Sequence, residues 1–384
     1  MKNILLTGID GYVGWPTALA LSQEFPQARI IGVDNLVRRR WVEEVGSVSG
    51  VPIATMEERL ESAGRHGFNN LSFVQGDLTD KEFVLQLFAV YRFDAVLHLA
   101  CQPSAPYSQI NGTLANFTQF NNNQATRNLL WAIKDTGLAK SCHFIETTTM
   151  GVYGTPEFEI PEGFVTAENK GRRDRVPFSG MAGSWYHMSK CNDVNNMWLA
   201  NRQWGLSISD LRMAIVYGTD TKETEIDPRL ATRFDFDFYF GVVLNRFCAM
   251  AMTGYPIIIY GKGEQRKPQI SLEDCVQSNV KALRMPLTGE FQVYNQATEV
   301  ISIVDIAQAI VSAAREIDLA AELTHIKNPR VEKEEHKMLV DTTNFSKLLP
   351  NSKYTVATGI GQILKALLPY RTTLENYKDR FLSM

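Results

Sequence analysis

The sequence predicts an α/β fold: a doubly wound parallel sheet followed by a smaller C-terminal α/β lobe. Three observations carry this. Short β-branched runs alternate with helix-length stretches from residue 3 to about 150, a glycine triplet stands at the first strand-to-helix turn, and periodicity breaks down after residue 218 before new strands and helices begin.

The strand-like runs are NILLTGI at 3–9, RIIGVDN at 29–35, LSFVQGD at 71–77, DAVLHLA at 94–100 and CHFIETT at 142–148, with a helical stretch at 15–25 after the first. Strands separated by helices imply a parallel sheet covered on its faces. Residues 155–180, rich in Pro, Glu, Gly and Arg, read as a long loop. A second α/β stretch runs from 184 to 218, and 219–240 then reads as an excursion into the smaller lobe. Beyond it come a strand in PIIIYGKG, helices at 272–284 and 302–316, and a polar C-terminal helix.

With 384 residues, 45% hydrophobic and 21% charged, and a formal net charge of -3, the chain has the composition of an ordinary globular protein that can bury a large core. Nothing in that balance calls for nucleic acid or an anionic membrane. The five cysteines (101, 142, 191, 248 and 275) are odd in number, scattered and without a C-x-x-C pair, so neither a disulfide framework nor a metal site is expected. No run is long enough to span a membrane and no export signal is read, so a cytoplasmic location is expected.

Gly8, Gly11 and Gly14 follow the strand NILLT and open a helix, with Tyr12 and Val13 inside the turn. Such a turn lets backbone approach a pyrophosphate, which the helix N-terminus attracts. Asp34 ends the second strand 20 residues past Gly14, where a carboxylate accepts from both ribose hydroxyls of adenosine and repels a 2′-phosphate. NAD is therefore the expected cofactor, on a Rossmann domain. Arg38, Arg39 and Arg40 are compatible with a 2′-phosphate, the cofactor pyrophosphate, a nucleotide-sugar anion or plain solvent.

Tyr186 and Lys190 lie four apart in SWYHMSKCNDVNNMW, on one face of a predicted helix. An ammonium beside a phenol favours the phenolate, which can take a proton from a hydroxyl while hydride leaves the same carbon. Thr149, at the end of ETTTMG, is placed to hydrogen-bond that hydroxyl; Thr147 and Thr148 read as strand residues.

Together these residues resemble the extended short-chain dehydrogenase/reductase family of NAD-dependent nucleotide-sugar epimerases and dehydratases. Within it the likeness is to the UDP-sulfoquinovose synthases, through VDNLVRR at 33–39, SAPYS at 104–108, the TMG and YGTP of 149–156, FG and LNRF at 240–247, YGKG at 260–263 and NPRVE at 328–332. The resemblance implies Asn35, Arg38, Asp77, Leu78, Leu99, Ala100 and Asn122, together with Tyr186 and Lys190, as further cofactor-binding positions. It implies Gln102, Asn245, Arg246, Arg266, Lys267 and Arg330, with Thr149, as substrate-binding ones. It also implies a homodimer built on helices near 121–133 and 184–199.

The chain departs from that pattern where Cys101, Gln102 and Pro103 replace a Glu-Gln-Arg run and where Val152 replaces an acid; the Asp-Glu that dehydratases place after the threonine is Met150 and Gly151 here. Two other side chains become candidates for the later chemistry: His187, which titrates near neutral pH but also fits a packing role, and Cys101, at the strand end where ligands enter such sheets.

Three domain segments follow: a cofactor domain over 1–185, the dyad helix and a returning strand over 186–218, and a mainly substrate-binding lobe over 219–384 with segments returning to the Rossmann domain. The expected activity is modification of a nucleotide sugar, a UDP-hexose, through transient oxidation at C4. The alternatives are a nucleotide-sugar 4-epimerase and a non-catalytic NAD-binding sensor or scaffold.

Overall fold

The computed structural model describes residues 1–328, 336–352 and 354–382. Its centre is a seven-stranded sheet built on β1 (Asn3–Thr7), β2 (Arg29–Asp34), β3 (Leu71–Gln75), β4 (Ala95–His98) and β5 (His143–Thr149). Strands Ser207–Met213 and Phe291–Gln296 extend it beyond β5, giving the order 291–296, 207–213, β5, β4, β1, β2, β3, all parallel. Ile4, Leu5 and Leu6 are all fully buried, so β1 is covered on both faces, as its unbroken apolar run requires.

The order reverses between β1 and β4, and in an open parallel sheet this is where a crevice opens at the carboxyl ends of the strands. Register brings Thr7 opposite Val33 and His98, and His98 opposite Glu146, so Asp34, Leu99 and Thr149 all emerge at this edge. The backbone N–H groups of Leu99 and Ala100 donate to Thr7 Oγ1 at 3.2 Å, tying the β4 exit to the first strand.

A second core lies beyond the sheet. It joins helices Val243–Met252, Ile303–Arg315 and Val356–Leu367 through Leu244, Phe247, Ile306, Ile310, Ile360 and Leu364. Strand Arg266–Ser271 pairs with Ile215–Tyr217 on one side and Glu299–Ser302 on the other, and Ile257–Tyr260 pairs with Leu323–Ile326. Within 219–240, Phe234 and Phe236 are buried in this core and Leu230 in the one against the sheet.

The loop expected at 155–180 needs correction: Phe164–Asn169 and Arg172–Pro177 form an antiparallel hairpin. Its two-residue turn, Lys170 and Gly171, has φ of 52° and 74°, the left-handed pair that suits a twisted hairpin. The strands are largely solvated on both faces, so no period-two apolar signal marked them.

Candidate active site

One cleft of about 510 Å³ runs from the glycine turn across the carboxyl edge of the sheet to the second lobe, a size suited to a cofactor and a small substrate. At its cofactor end two of the three glycines, Gly8 and Gly14, are steric necessities. A Cβ on Gly14 would sit 1.9 Å from the Gly8 carbonyl oxygen, and one on Gly8, whose φ is +74°, would sit 2.8 Å from the Ala100 nitrogen. This close backbone approach and the helix opening at Gly14 make the cradle a pyrophosphate needs.

Asp34 accepts the backbone N–H of Leu36 at 2.7 Å and of Asp10 at 3.0 Å. Burial still pushes its carboxyl up to about 6, and Asp10 adds to the rise. Ribose hydroxyls are the partners such a carboxylate lacks. Asn35 reaches Asp77 at 3.3 Å, and both line the cleft with Tyr12, Val13, Leu78, Leu99 and Ala100.

The three consecutive arginines divide. Arg39 grips Asp10 with two hydrogen bonds of 2.7 and 2.8 Å, and Asp10 is shared with fully buried Arg59. Arg40 is exposed beside Glu44. Arg38 alone lines the cleft, held to Asp235 at 2.7 Å with its guanidinium 3.7 Å from the Phe240 ring centre. Arg39 and Arg38 are thus engaged by carboxylates, in keeping with an unphosphorylated ribose.

Tyr186 sits in the first turn of helix Trp185–Trp204, which Ser184 caps by accepting the His187 N–H at 3.1 Å. The tyrosine lines the cleft, as do Thr149, His187 and Cys101, so four of the five predicted reactive side chains border it. Lys190 lies behind them, 2% exposed, donating to Glu146 Oε1 at 2.9 Å with Asp193 Oδ2 at 3.5 Å. Burial alone would lower its pKa, but the two carboxylates hold it well above the ordinary range. Burial raises the Tyr186 phenol, with Cys101, Asp193 and Glu146 adding to the rise and Lys190 opposing it.

The His187 ring fills the space in front of Gly151, where a Cβ would lie 2.3 Å from its Cδ2. Its Nδ1 is 3.1 Å from Ser184 Oγ, and burial together with Lys267 lowers its pKa to about 4. The imidazole is therefore neutral at physiological pH and able to accept a proton. Cys101 is held as a thiol, its pKa raised by burial. Thr149 Oγ1 accepts the Gly151 N–H at 3.1 Å, which leaves its own proton to donate.

The other predicted positions divide between the cleft wall and the surrounding packing. Asn122 is buried away from the cleft wall, where it bonds both backbone groups of Gln102 and donates to Ser189 Oγ at 2.9 Å. The Gln102 side chain turns inward to Thr118 and Ser104. Asn245 and Arg246 line the cleft, but Asn245 also accepts the Gly218 N–H at 3.2 Å and Arg246 donates to the Phe238 carbonyl at 3.3 Å. Lys267 lines the cleft, whereas Arg266, its neighbour on the same strand, points out and donates to the Val300 carbonyl. Arg330 lies outside the described residues.

Sequence reasoning missed Arg233, Asp235, Tyr239 and Gln265, all of which line the cleft. A signal existed for the first two. In RFDFDF the phenylalanines alternate with polar residues, so an extended segment buries Phe234 and Phe236 while turning Arg233 and Asp235 to the opening.

The chain belongs to the NAD dependent epimerase/dehydratase family, whose pattern matches residues 4–297. Two relatives narrow the likeness. The chain is 40% identical over 348 residues to the chloroplastic UDP-sulfoquinovose synthase of Spinacia oleracea, covering 90% of this chain and 71% of that one. It is 38% identical to the UDP-sulfoquinovose synthase of Sulfolobus acidocaldarius, covering 98% and 95% of the two chains. The fold is also that of UDP-glucose 4-epimerase from Thermotoga maritima, solved with UDP-glucose (TM-score 0.69, 20% identity, 97% and 100% coverage). UDP-glucuronic acid 4-epimerase from Bacillus cereus, solved with UDP-glucuronic acid and NAD, shares it too (TM-score 0.68, 21% identity, 97% and 100% coverage). Among the described residues no helix is long and apolar enough to cross a membrane.

Proposed function

We propose that this enzyme acts on UDP-glucose or a related UDP-hexose through a transient 4-keto sugar, and that sulfite adds at C6 to give a UDP-sulfoquinovose-type product. One observation carries the reading: Thr149, Tyr186, His187 and Cys101 line the same cleft as the glycine turn and Asp34. NAD, when bound, supplies a hydride acceptor that is restored when the hydride returns, so no net oxidant is consumed.

Tyr186 takes the C4 hydroxyl proton, Thr149 donates a hydrogen bond to that oxygen, and Lys190 favours the phenolate from behind. The ketone acidifies C5–H. His187, neutral and facing the cleft, is the base assigned to that proton, and passing the same proton to the departing C6 hydroxyl releases water and opens C6 to sulfite. Cys101 is assigned as a thiol beside Tyr186 that can supply a proton there. Gly8, Gly11, Gly14, Asp34 and Arg38 are assigned to the cofactor, and Asn245, Arg246 and Lys267 to the nucleotide sugar.

The buried apolar side chains of Met150 and Val152 favour 4-epimerisation as the second reading, because neither supplies an acid for the departing C6 hydroxyl. Both readings share the first step. Holoenzyme mixed with UDP-glucose without sulfite is expected to show the absorbance of enzyme-bound reduced nicotinamide, and Tyr186→Phe to slow its appearance about 10²- to 10⁴-fold. No absorbance change with any UDP-hexose would leave the non-catalytic binder.

The proposed assembly is a homodimer. Phe120 and Trp131 on helix Gly112–Asp135, with Trp185, Met188 and Leu199 on the dyad helix, are apolar and exposed. These two helices pack side by side, so a second copy related by a two-fold axis would cover both. The proposed setting is a reducing, cytoplasmic one, in keeping with five cysteines that are all free.

A further inference from the structure

Behind Tyr186, away from solvent, one ammonium faces two carboxylates. Lys190 Nζ is 2.9 Å from Glu146 Oε1 and 3.5 Å from Asp193 Oδ2, and both acids are fully buried. Neither is a surface pair turned inward by chance, because each is held by further side chains. Asn123 donates to Asp193 Oδ1 at 2.8 Å, and Thr126 donates to Glu146 Oε2 at 3.4 Å. Thr126 also lies 3.3 Å from His98 Nε2, whose Nδ1 lies 2.7 Å from Thr7 Oγ1.

The charges facing this group can be counted. His98, from β4, is kept neutral by burial and by Lys190. Cys101 stays a thiol. Asp210, on strand Ser207–Met213, is neutralised by Arg212 at 2.8 Å. Lys190, Glu146 and Asp193 remain, and with both acids ionised they sum to one surplus negative charge. Burial pushes Glu146 up against the field of Lys190, which marks this surplus as costly. A lysine that served only to ionise a phenol would do so best without this compensation.

We infer that Glu146 is a positioning residue acting through Lys190: with Asp193 it offsets the ammonium, so that the proton Tyr186 takes from the sugar stays on the phenol until the hydride returns. The inference rests on the assignment of Tyr186 as the base. An enzyme that oxidises and re-reduces one sugar must keep that proton through the life of the ketone. The bare charge of Lys190 would go on favouring release of the Tyr186 proton even after the positive nicotinamide had become neutral and ceased to do so. Proton balance is then simple: the C4 O–H proton goes to Tyr186 Oη and returns from it to the C4 oxygen, with no exchange in between.

The test is a tyrosinate titration by ultraviolet difference absorbance on enzyme loaded with NADH. Glu146→Gln and Asp193→Asn are each compared with wild type, and each background is corrected by its own Tyr186→Phe version. Glu146→Gln keeps the shape of the side chain and removes its charge. We expect Tyr186 to ionise about one pH unit lower in it than in wild type, and to move the same way in Asp193→Asn. If both variants titrate with wild type while Tyr186→Phe abolishes turnover, the inference is overturned and the assignment of the base stands. If Tyr186→Phe turns over normally, that assignment fails and the inference fails with it. Should Glu146→Gln not fold, Asp193→Asn decides alone.

Discussion

Replacing Asp34 by Asn should stabilise the cofactor-free protein near neutral pH while weakening its hold on NAD. Burial raises this carboxyl from the ordinary 3.8 to about 6. A rise of that size corresponds to about 3 kcal/mol between the protonated and ionised forms. The sign follows from the direction. Because the folded value lies above the unfolded one, the favourable protonated form is fully present below about pH 4 and its contribution is lost as pH rises through about 6. Asparagine never ionises, so it avoids that loss. Against this, Asp34 accepts two backbone N–H groups through separate oxygens. An amide keeps one acceptor and turns an NH₂ toward the other donor, which costs about 1 kcal/mol. The balance is a gain of about 2 kcal/mol near pH 7.5 that disappears near pH 4. Urea unfolding of the cofactor-free proteins at the two pH values measures it, and NAD titration shows the functional loss. A variant less stable than wild type at both values, or a difference that ignores pH, would refute the reasoning.

Gly14→Ala should weaken NAD binding about tenfold or more, because its Cβ would displace the Gly8 carbonyl 1.9 Å away and with it the turn; calorimetric titration measures the loss. His187→Gln should keep C4 oxidation, read as reduced-nicotinamide absorbance, and lose deuterium exchange at C5. In wild type the C5 exchange should fade only as pH drops toward about 4, where the ring protonates. Phe120→Glu combined with Leu199→Glu places charge on both exposed apolar helix faces; if the proposed homodimer forms, light scattering should report a dimer for wild type and a monomer for this variant.

Much of the fold was legible because its signals are local. The strand, turn and helix around Gly8 to Gly14, the carboxylate closing β2 and the four-residue spacing of Tyr186 and Lys190 need no knowledge of distant partners. What stayed hidden depends on partners far along the chain. Arg38 and Arg39 stand together, yet Arg38 is held by Asp235 in the second lobe and Arg39 by Asp10 in the first turn. Arg266 and Lys267 differ only in strand parity, which sends one to the Val300 carbonyl and the other to the cleft. No local signal marks Glu146, and only the packing of the dyad helix against β5 brings it under Lys190. The hairpin at 164–177 escaped notice because a ribbon solvated on both faces carries no alternation to read.

NMR of the holoenzyme with UDP-glucose and sulfite in deuterium oxide separates sulfonation from epimerisation. A sulfonated C6 product carrying deuterium at C5, with no net reduced nicotinamide, is expected. UDP-galactose without deuterium at C5, or unchanged UDP-glucose, would contradict it.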